Sequence, residues 1–323
     1  VLICSATSSR RTMEMSLCGS VISDKNKNLS TLQRELLRWH YRLGHVNFQN
    51  LQWIGRQGIL GELGYKWGST SVKPPICEPC QYGKQPRTPK QGSTSRRVNE
   101  GILSKEKLNP GDLIFSDQFE NSMGGRYYNE QGRMNTHHEY KGETIFYDAA
   151  SRYIFVENQV GFTAYETLQS KMKFERMSHG DGVEIKRYCT DNGIYTSQEF
   201  GAHLQINHQT IRHSGVGAHH HNGPAENAIK IIMNKARTMM LHALLNWPDH
   251  TELSLWPYAV NYAVYLYNNI PNQETGLAPI EIWTSSKSSY SALQKSHTWG
   301  CPAYVLDPRL QNGAKIPKWK PRS

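Results

Sequence analysis

Hydrophobic and polar positions change period several times along the chain. Residues 1–30 are rich in Ser, Thr and Asn, hold no sustained period and read as a linker. From Ser30 the pattern turns helical: Leu32, Leu36, Leu37 and His40 share one helical face, and Ser30 stands where an N-cap belongs. A second short helix is expected from Phe48 to Arg56. The stretch 84–110 is polar and basic, with Pro, Ser and Lys throughout, and marks a boundary between domains.

Strand and helix patterns alternate beyond that boundary. LIFSDQF (Leu113–Phe119) reads as a strand, followed by a polar, Gly-containing loop over 124–142. ETIFYDAA and RYIFVENQV, with a turn at Ser151, read as an antiparallel hairpin. A helix is expected over Thr163–Met177 with Thr163 as its cap, then a strand over 183–190, a helix over 197–206 and a short strand over Gln209–His213. Long helices follow from Pro224 to about Leu245 and from about Leu255 to Asn269. Strands first and then alternating helices and strands predict an α/β domain with a mixed sheet and flanking helices. The expected organisation is a linker over 1–30, a small helical domain over 31–90 and a basic linker over 91–110. An α/β core over 111–273 and a connector with a short further segment over 274–323 complete it.

Charge sharpens this division. The 323 residues hold 37 Lys+Arg against 27 Asp+Glu, a net +10. Residues 1–110 hold 17 basic and 7 acidic side chains, and residues 111–323 hold 20 of each, so the whole excess lies in the first third. A basic front end on a neutral body suggests a polyanionic partner, nucleic acid first among them, with a solvated charged surface as the plain alternative. No apolar run approaches the roughly 18 residues that a membrane span needs, so no membrane partner is expected. The amino terminus has no signal-peptide pattern and does not begin with Met, and the chain reads as a piece of a longer translated product. Six widely scattered cysteines make no secreted disulfide framework; only Cys77 and Cys80 lie close together.

Those two cysteines belong to a larger set. LLRWHYRLGHVNFQNL sets His40 and His45 five apart, and PPICEPCQYGK supplies Cys77 and Cys80 as a C-x2-C turn stiffened by Pro74, Pro75 and Pro79. Two imidazoles and two thiolates are the closed tetrahedral donor set of structural Zn²⁺, against the alternative of unrelated histidines beside a chance C-x2-C. A domain this small has little core of its own, so one Zn²⁺ is expected to supply much of its folding energy. Lys84, Arg87, Lys90, Arg96 and Arg97 follow directly and read as a phosphate-binding tail or as a solvated linker.

Three acids stand out by placement. Asp117 ends a hydrophobic strand, Asp191 follows another strand in YCTDNG, and Glu226 lies one turn into a helix that opens with Pro224. The separation 226 − 191 = 35 proves nothing alone, because 27 acids in 323 residues give about two such pairs by chance. Placement carries the argument: carboxylates converging from two strand ends and a helix start can hold two hard Mg²⁺ (or Mn²⁺) ions for displacement at phosphorus. Each acid taken singly also reads as an ordinary cap. Lys230 lies four residues beyond Glu226 on the same helical face, as a phosphate contact or a plain Glu–Lys pair. His221, in the Gly-rich GVGAHHHNG loop before that helix, is expected to contact DNA. Cys189 reads as strand core.

In combination these motifs resemble the integrase segment of a copia-type LTR-retrotransposon Pol polyprotein. LLRWHYRLGHVN with PPICEPCQYGK is similar to that family's pre-integrase zinc region. DQFE, YCTDNGIYTSQEF, GVGAHHHNGPAENAIK, KARTMMLHA and YAVYLYNNIP…TGLAPIEIW are similar to its catalytic core, and TWGCPAYVL to the start of an SH3-like segment, here truncated. The resemblance spans residues 31–307. It implies a ribonuclease-H-like core in which Asp117, Asp191 and Glu226 bind Mg²⁺ and His40, His45, Cys77 and Cys80 hold Zn²⁺. It also implies binding of element-end and target DNA, joining of the two through a 3′-hydroxyl, homo-oligomers, association with other parts of Pol, and work in the nucleus after passage through cytoplasmic particles. Two other readings share parts of the pattern: a silent nucleic-acid-binding relic, and a ribonuclease-H-like nuclease. His221 and Asn227 stand where relatives often carry Gln and a basic residue.

Overall fold

The computed structural model describes residues 26–85, 108–127, 139–191, 193–213 and 222–322. The first part is a small helical module. Helix α1 (Thr31–Arg42) starts at Ser30, whose hydroxyl accepts from the Gln33 amide while the Gln33 side chain accepts from the Ser30 amide. Helix α2 (Phe48–Arg56) is capped by Asn47. Short helices α3 (Gly64–Trp67) and α4 (Glu78–Gly83) close the module. Leu36, Trp39, Leu43, Leu51, Ile54 and Trp67 fill its centre.

Five strands follow: β1 (Ile114–Arg126), β2 (Glu139–Asp148), β3 (Ile154–Gln159), β4 (Arg187–Thr190) and β5 (Thr210–His213). Their order across the sheet is β3-β2-β1-β4-β5. The first three form an antiparallel meander, and β4 and β5 run parallel to β1. The β2–β3 turn is held by Asp148, whose carboxylate accepts from the Ser151 amide at 2.7 Å and its hydroxyl at 2.6 Å. Parallel pairing requires crossovers, and these are α5 (Ala164–Gly180), capped by Thr163, and α6 (Gln198–Ile206), capped by Ser197. This order with two crossover helices is the ribonuclease-H-like arrangement that the resemblance implied.

The two sheet faces bury different clusters. On one, Phe146, Phe174, Tyr188, Phe200 and Trp283 of the short helix Pro279–Thr284 pack together. The other is covered by α7 (Gly223–Asn246) and α8 (Trp256–Asn269), and its cluster continues without a break into the helical module. Docking of α4 on α7 depends on Gly83, where a Cβ would meet the Thr238 hydroxyl oxygen at 2.5 Å. Helix α8 clasps the β3 edge: the Asn268 amide accepts from the Ile154 N–H at 3.0 Å and donates to its carbonyl at 2.7 Å.

Two expectations shift. β1 continues past Phe119 through a register irregularity to Arg126, because Gly125 lets it press on Trp256 and Pro257 of α8. The strand expected over 183–190 pairs only from Arg187. TWGCPAYVL forms no strand among the described residues: Tyr304, Val305 and Leu306 are exposed, with no neighbouring strand to pair, ahead of a helical turn at Pro308–Gln311. Among the described residues no helix is long and apolar enough to cross a membrane.

Candidate metal centre and acid face

The four predicted zinc ligands meet. His40 lies in α1 and His45 just after it, at a left-handed φ of 58°. Cys77 caps α4 and Cys80 sits in its first turn. His45 Nδ1 stands 3.2 Å from His40 Nε2, 3.3 Å from the Cys77 sulfur and 3.6 Å from the Cys80 sulfur. The Cys80 sulfur is 3.3 Å from His40 Nε2, and all four donor atoms lie within 4.8 Å of one another. A tetrahedral ion with nitrogen at about 2.0 Å and sulfur at about 2.3 Å would space its donors about 3.3–3.8 Å apart. The donor set therefore fits a structural metal in both chemistry and spacing.

Electrostatics agree. Burial pushes His45 down to about 3, keeping the ring neutral as a ligand must be. The Cys77–Cys80 hydrogen bond draws Cys80 toward the thiolate, helped by His40 and His45, while that bond and burial raise Cys77. His40 Nδ1 donates to the Val46 carbonyl at 2.8 Å, and the Lys84 ammonium donates to the His45 carbonyl. Lys84, expected to meet phosphate, thus also braces the cage.

The three predicted acids lie around one end of the sheet. Asp117 is the fourth residue of β1 rather than its last, but parallel pairing with β4 stops at Ser116, so the Asp117 side chain lies just past that pairing. Asp191 directly follows β4 and is exposed. Glu226 is exposed in the first turn of α7. Burial raises the Asp117 carboxyl to about 6, and the charges of Glu226 and Asp191 push it further the same way. The acids thus act on one another across three elements. Among the described residues, however, His40, His45, Cys77 and Cys80 are the one group of ligand-type side chains gathered as a cage.

Asn222, which sequence reasoning passed over, positions this face. It is 3% exposed, and its amide donates to the Ser116 carbonyl at 3.1 Å, tying the start of α7 to the strand residue before Asp117. Ser116 in turn shares a 2.9 Å hydrogen bond with the buried Tyr195 hydroxyl. The signal was an Asn ahead of Gly-Pro at a helix start. His242 was also missed: a buried polar residue of α7, its ring lies 4.3 Å from that of Tyr41 and 5.1 Å from that of His45. Lys230 is exposed on α7. Cys189 is buried in β4, as expected. Arg87, Lys90, Arg96, Arg97 and His221 lie outside the described residues.

A four-donor HHCC cage docked on a ribonuclease-H-like sheet defines a protein of the integrase class. Residues 13–85 match the GAG-pre-integrase domain. Over 283 residues the chain is 31% identical to the retrovirus-related Pol polyprotein from transposon TNT 1-94 of Nicotiana tabacum, covering 84% of this chain and 18% of that protein. It is 23% identical over 273 residues to the corresponding polyprotein from transposon RE1 of Arabidopsis thaliana, covering 82% of this chain and 16% of that one. The chain thus spans under a fifth of these relatives' length. Similar solved structures include the HTLV-2 integrase catalytic core in complex with magnesium, with 19% identity, a TM-score of 0.40, and 55% of this chain and 99% of that one covered. The BIV integrase catalytic core gives 13%, 0.38, 54% and 95%. The chain belongs with the integrase segments of copia-type retrotransposon Pol polyproteins.

Proposed function

We propose that this chain joins the 3′ ends of element DNA to target DNA, with Asp117, Asp191 and Glu226 as ligands for two Mg²⁺ (or Mn²⁺) ions. The observation that supports this most is the placement of the three acids: Asp117 just past the pairing of β1 with β4, Asp191 directly after β4, and Glu226 in the first turn of α7, whose start Asn222 ties to Ser116. Hard oxygen donors that repel one another are what a hard dication relieves. Bound there, such ions polarise the scissile phosphate and favour the oxyanions that form. The chain's own residues hold and orient: Asn222 sets the start of α7 against β1, and Lys230 contacts a phosphate beside the acids. Joining forms a bond from the attacking 3′ oxygen to a target phosphorus and breaks that phosphorus's bond to its own 3′ oxygen, which leaves as a hydroxyl.

His40, His45, Cys77 and Cys80 hold one structural Zn²⁺, with no position open for substrate. Lys84, Arg87, Lys90, Arg96, Arg97 and His221 complete the DNA contact. The chain acts as a homo-oligomer with other parts of Pol, in the nucleus after passage through cytoplasmic particles.

The test is to incubate the purified chain with Mg²⁺ and a labelled duplex carrying candidate element ends. Joined strands are expected from the wild type and none from Glu226→Gln, with DNA binding retained. Equal joining by that variant sinks the metal assignment. Salt-sensitive binding without joining favours an inactive DNA-binding protein, and cleavage of RNA–DNA hybrids without joining favours a nuclease.

A further inference from the structure

His40 and His45 differ in what their outer ring nitrogens meet. His40 turns Nε2 into the cage and donates its Nδ1–H to the Val46 carbonyl at 2.8 Å. His45 turns Nδ1 into the cage, and its Nε2 is buried with no hydrogen-bond partner. A metal-ligating histidine ordinarily donates that outer N–H, which fixes its tautomer and holds the ring in place. An orphaned buried ring nitrogen on a ligand calls for an explanation.

One of the rings packed against His45, beside His40 and Tyr41, comes from outside the module. It is His242 of α7, with centroids 5.1 Å apart and planes at 59°. His242 is 5% exposed, and its Nδ1 is also buried without a hydrogen-bond partner. As placed the two nitrogens make no hydrogen bond, but ring nitrogens lie about 1.1 Å from an imidazole centre, so turning both rings toward the line of centres would bring them to about 2.9 Å, an ordinary hydrogen-bond length. The neutral ring has one donor and one acceptor, so the two orphans are chemically complementary.

We propose that His242 is the outer partner of the zinc ligand His45, with His45 Nε2–H donating to His242 Nδ1 and tying the metal cage to the helix that carries Glu226. This rests on the zinc reading of His40, His45, Cys77 and Cys80. His242 is a positioning residue: it acts through His45 and touches neither metal nor substrate. One consequence is that zinc occupancy steadies α7 as well as the module.

The test compares the full chain with His242→Phe, which keeps a ring and loses the acceptor, and His242→Gln, whose amide oxygen accepts. Zinc affinity is read by chelator competition. His242→Phe is expected to weaken zinc at least about ten-fold, with His242→Gln returning to within about three-fold of wild type. In wild type loaded with zinc, nitrogen-15 histidine spectra are expected to show His242 protonated at Nε2 and bare at Nδ1. Affinity within two-fold of wild type for His242→Phe overturns the inference. So does equal weakening by Phe and Gln, which marks a packing role, or a proton on His242 Nδ1. A wild-type chain that binds no zinc overturns the zinc reading itself, and the inference falls with it.

Discussion

The metal cage and the acid face are built by opposite means. The cage lies inside a packed module: His40 and His45 are 2% and 1% exposed, their donor atoms face one another at 3.2 Å, and Val46 and Lys84 brace them. The acid face is open. Asp191 and Glu226 are exposed, Asp117 is partly buried, and the charges of the first two push on the carboxyl of the third. Neutral imidazoles and a shared thiol proton let soft donors approach closely without a cation, whereas carboxylates repel until one sits between them. A closed cage suits a metal that stays, and an open acid face suits ions that meet a phosphate.

The sharpest way to break that contrast is Asp117→Asn. Joining should fall to background while DNA affinity stays within a few-fold, measured by strand joining and by filter binding. Next in size is Cys77→Ser, which should lose the zinc and open residues 31–85 to limited proteolysis. Structural zinc is worth about 10–16 kcal/mol in isolated fingers, though packing on α7 will retain part of the module's order. Proteolysis unchanged in that variant would mean that packing alone holds the cage.

An acid outside both sites separates burial from ligation. Glu143 in β2 is fully buried, both its carboxyl oxygens lack a hydrogen-bond partner, and burial holds it well above its usual 4.5. Because the folded state keeps a proton that the unfolded state releases, its contribution to stability is greatest below pH 4.5 and falls as pH rises. Glu143→Met should therefore stabilise the fold near neutral pH, with a gain that shrinks toward pH 4.5, read by denaturant unfolding. Asp117→Asn should show the same sign. The folded carboxyl at about 6 against 3.8 unfolded loses stability as pH rises between those values, so the metal-free variant should gain up to about 3 kcal/mol above pH 6. Smallest is Lys230→Ala, expected to weaken DNA binding a few-fold and lower the salt slope by about 1.

Local chemistry is legible in the sequence. Ser30, Thr163 and Ser197 cap the helices that their spacing announced, since a capping hydroxyl and an apolar stripe act within a few residues. The cage was legible for a related reason: few combinations of two imidazoles and a C-x2-C turn do anything else. β1 was read too short, because its extension depends on Gly125 meeting Trp256, a contact between residues far apart in the chain. The linker between module and core was read as a boundary, yet one cluster runs through both, since an apolar surface does not reveal what covers it.

Sequence by itself determined most of the elements, the four donors of the cage and the family, and it singled out the three acids as candidates, because each rests on residue type at short spacing or on motifs in a fixed order. Only the tertiary structure decided the docking of α4 on α7, the tie from Asn222 to Ser116, and the meeting of His242 with His45. Those depend on which surfaces come together across long stretches of chain, and pairwise contact at such distances follows from the packing of the whole.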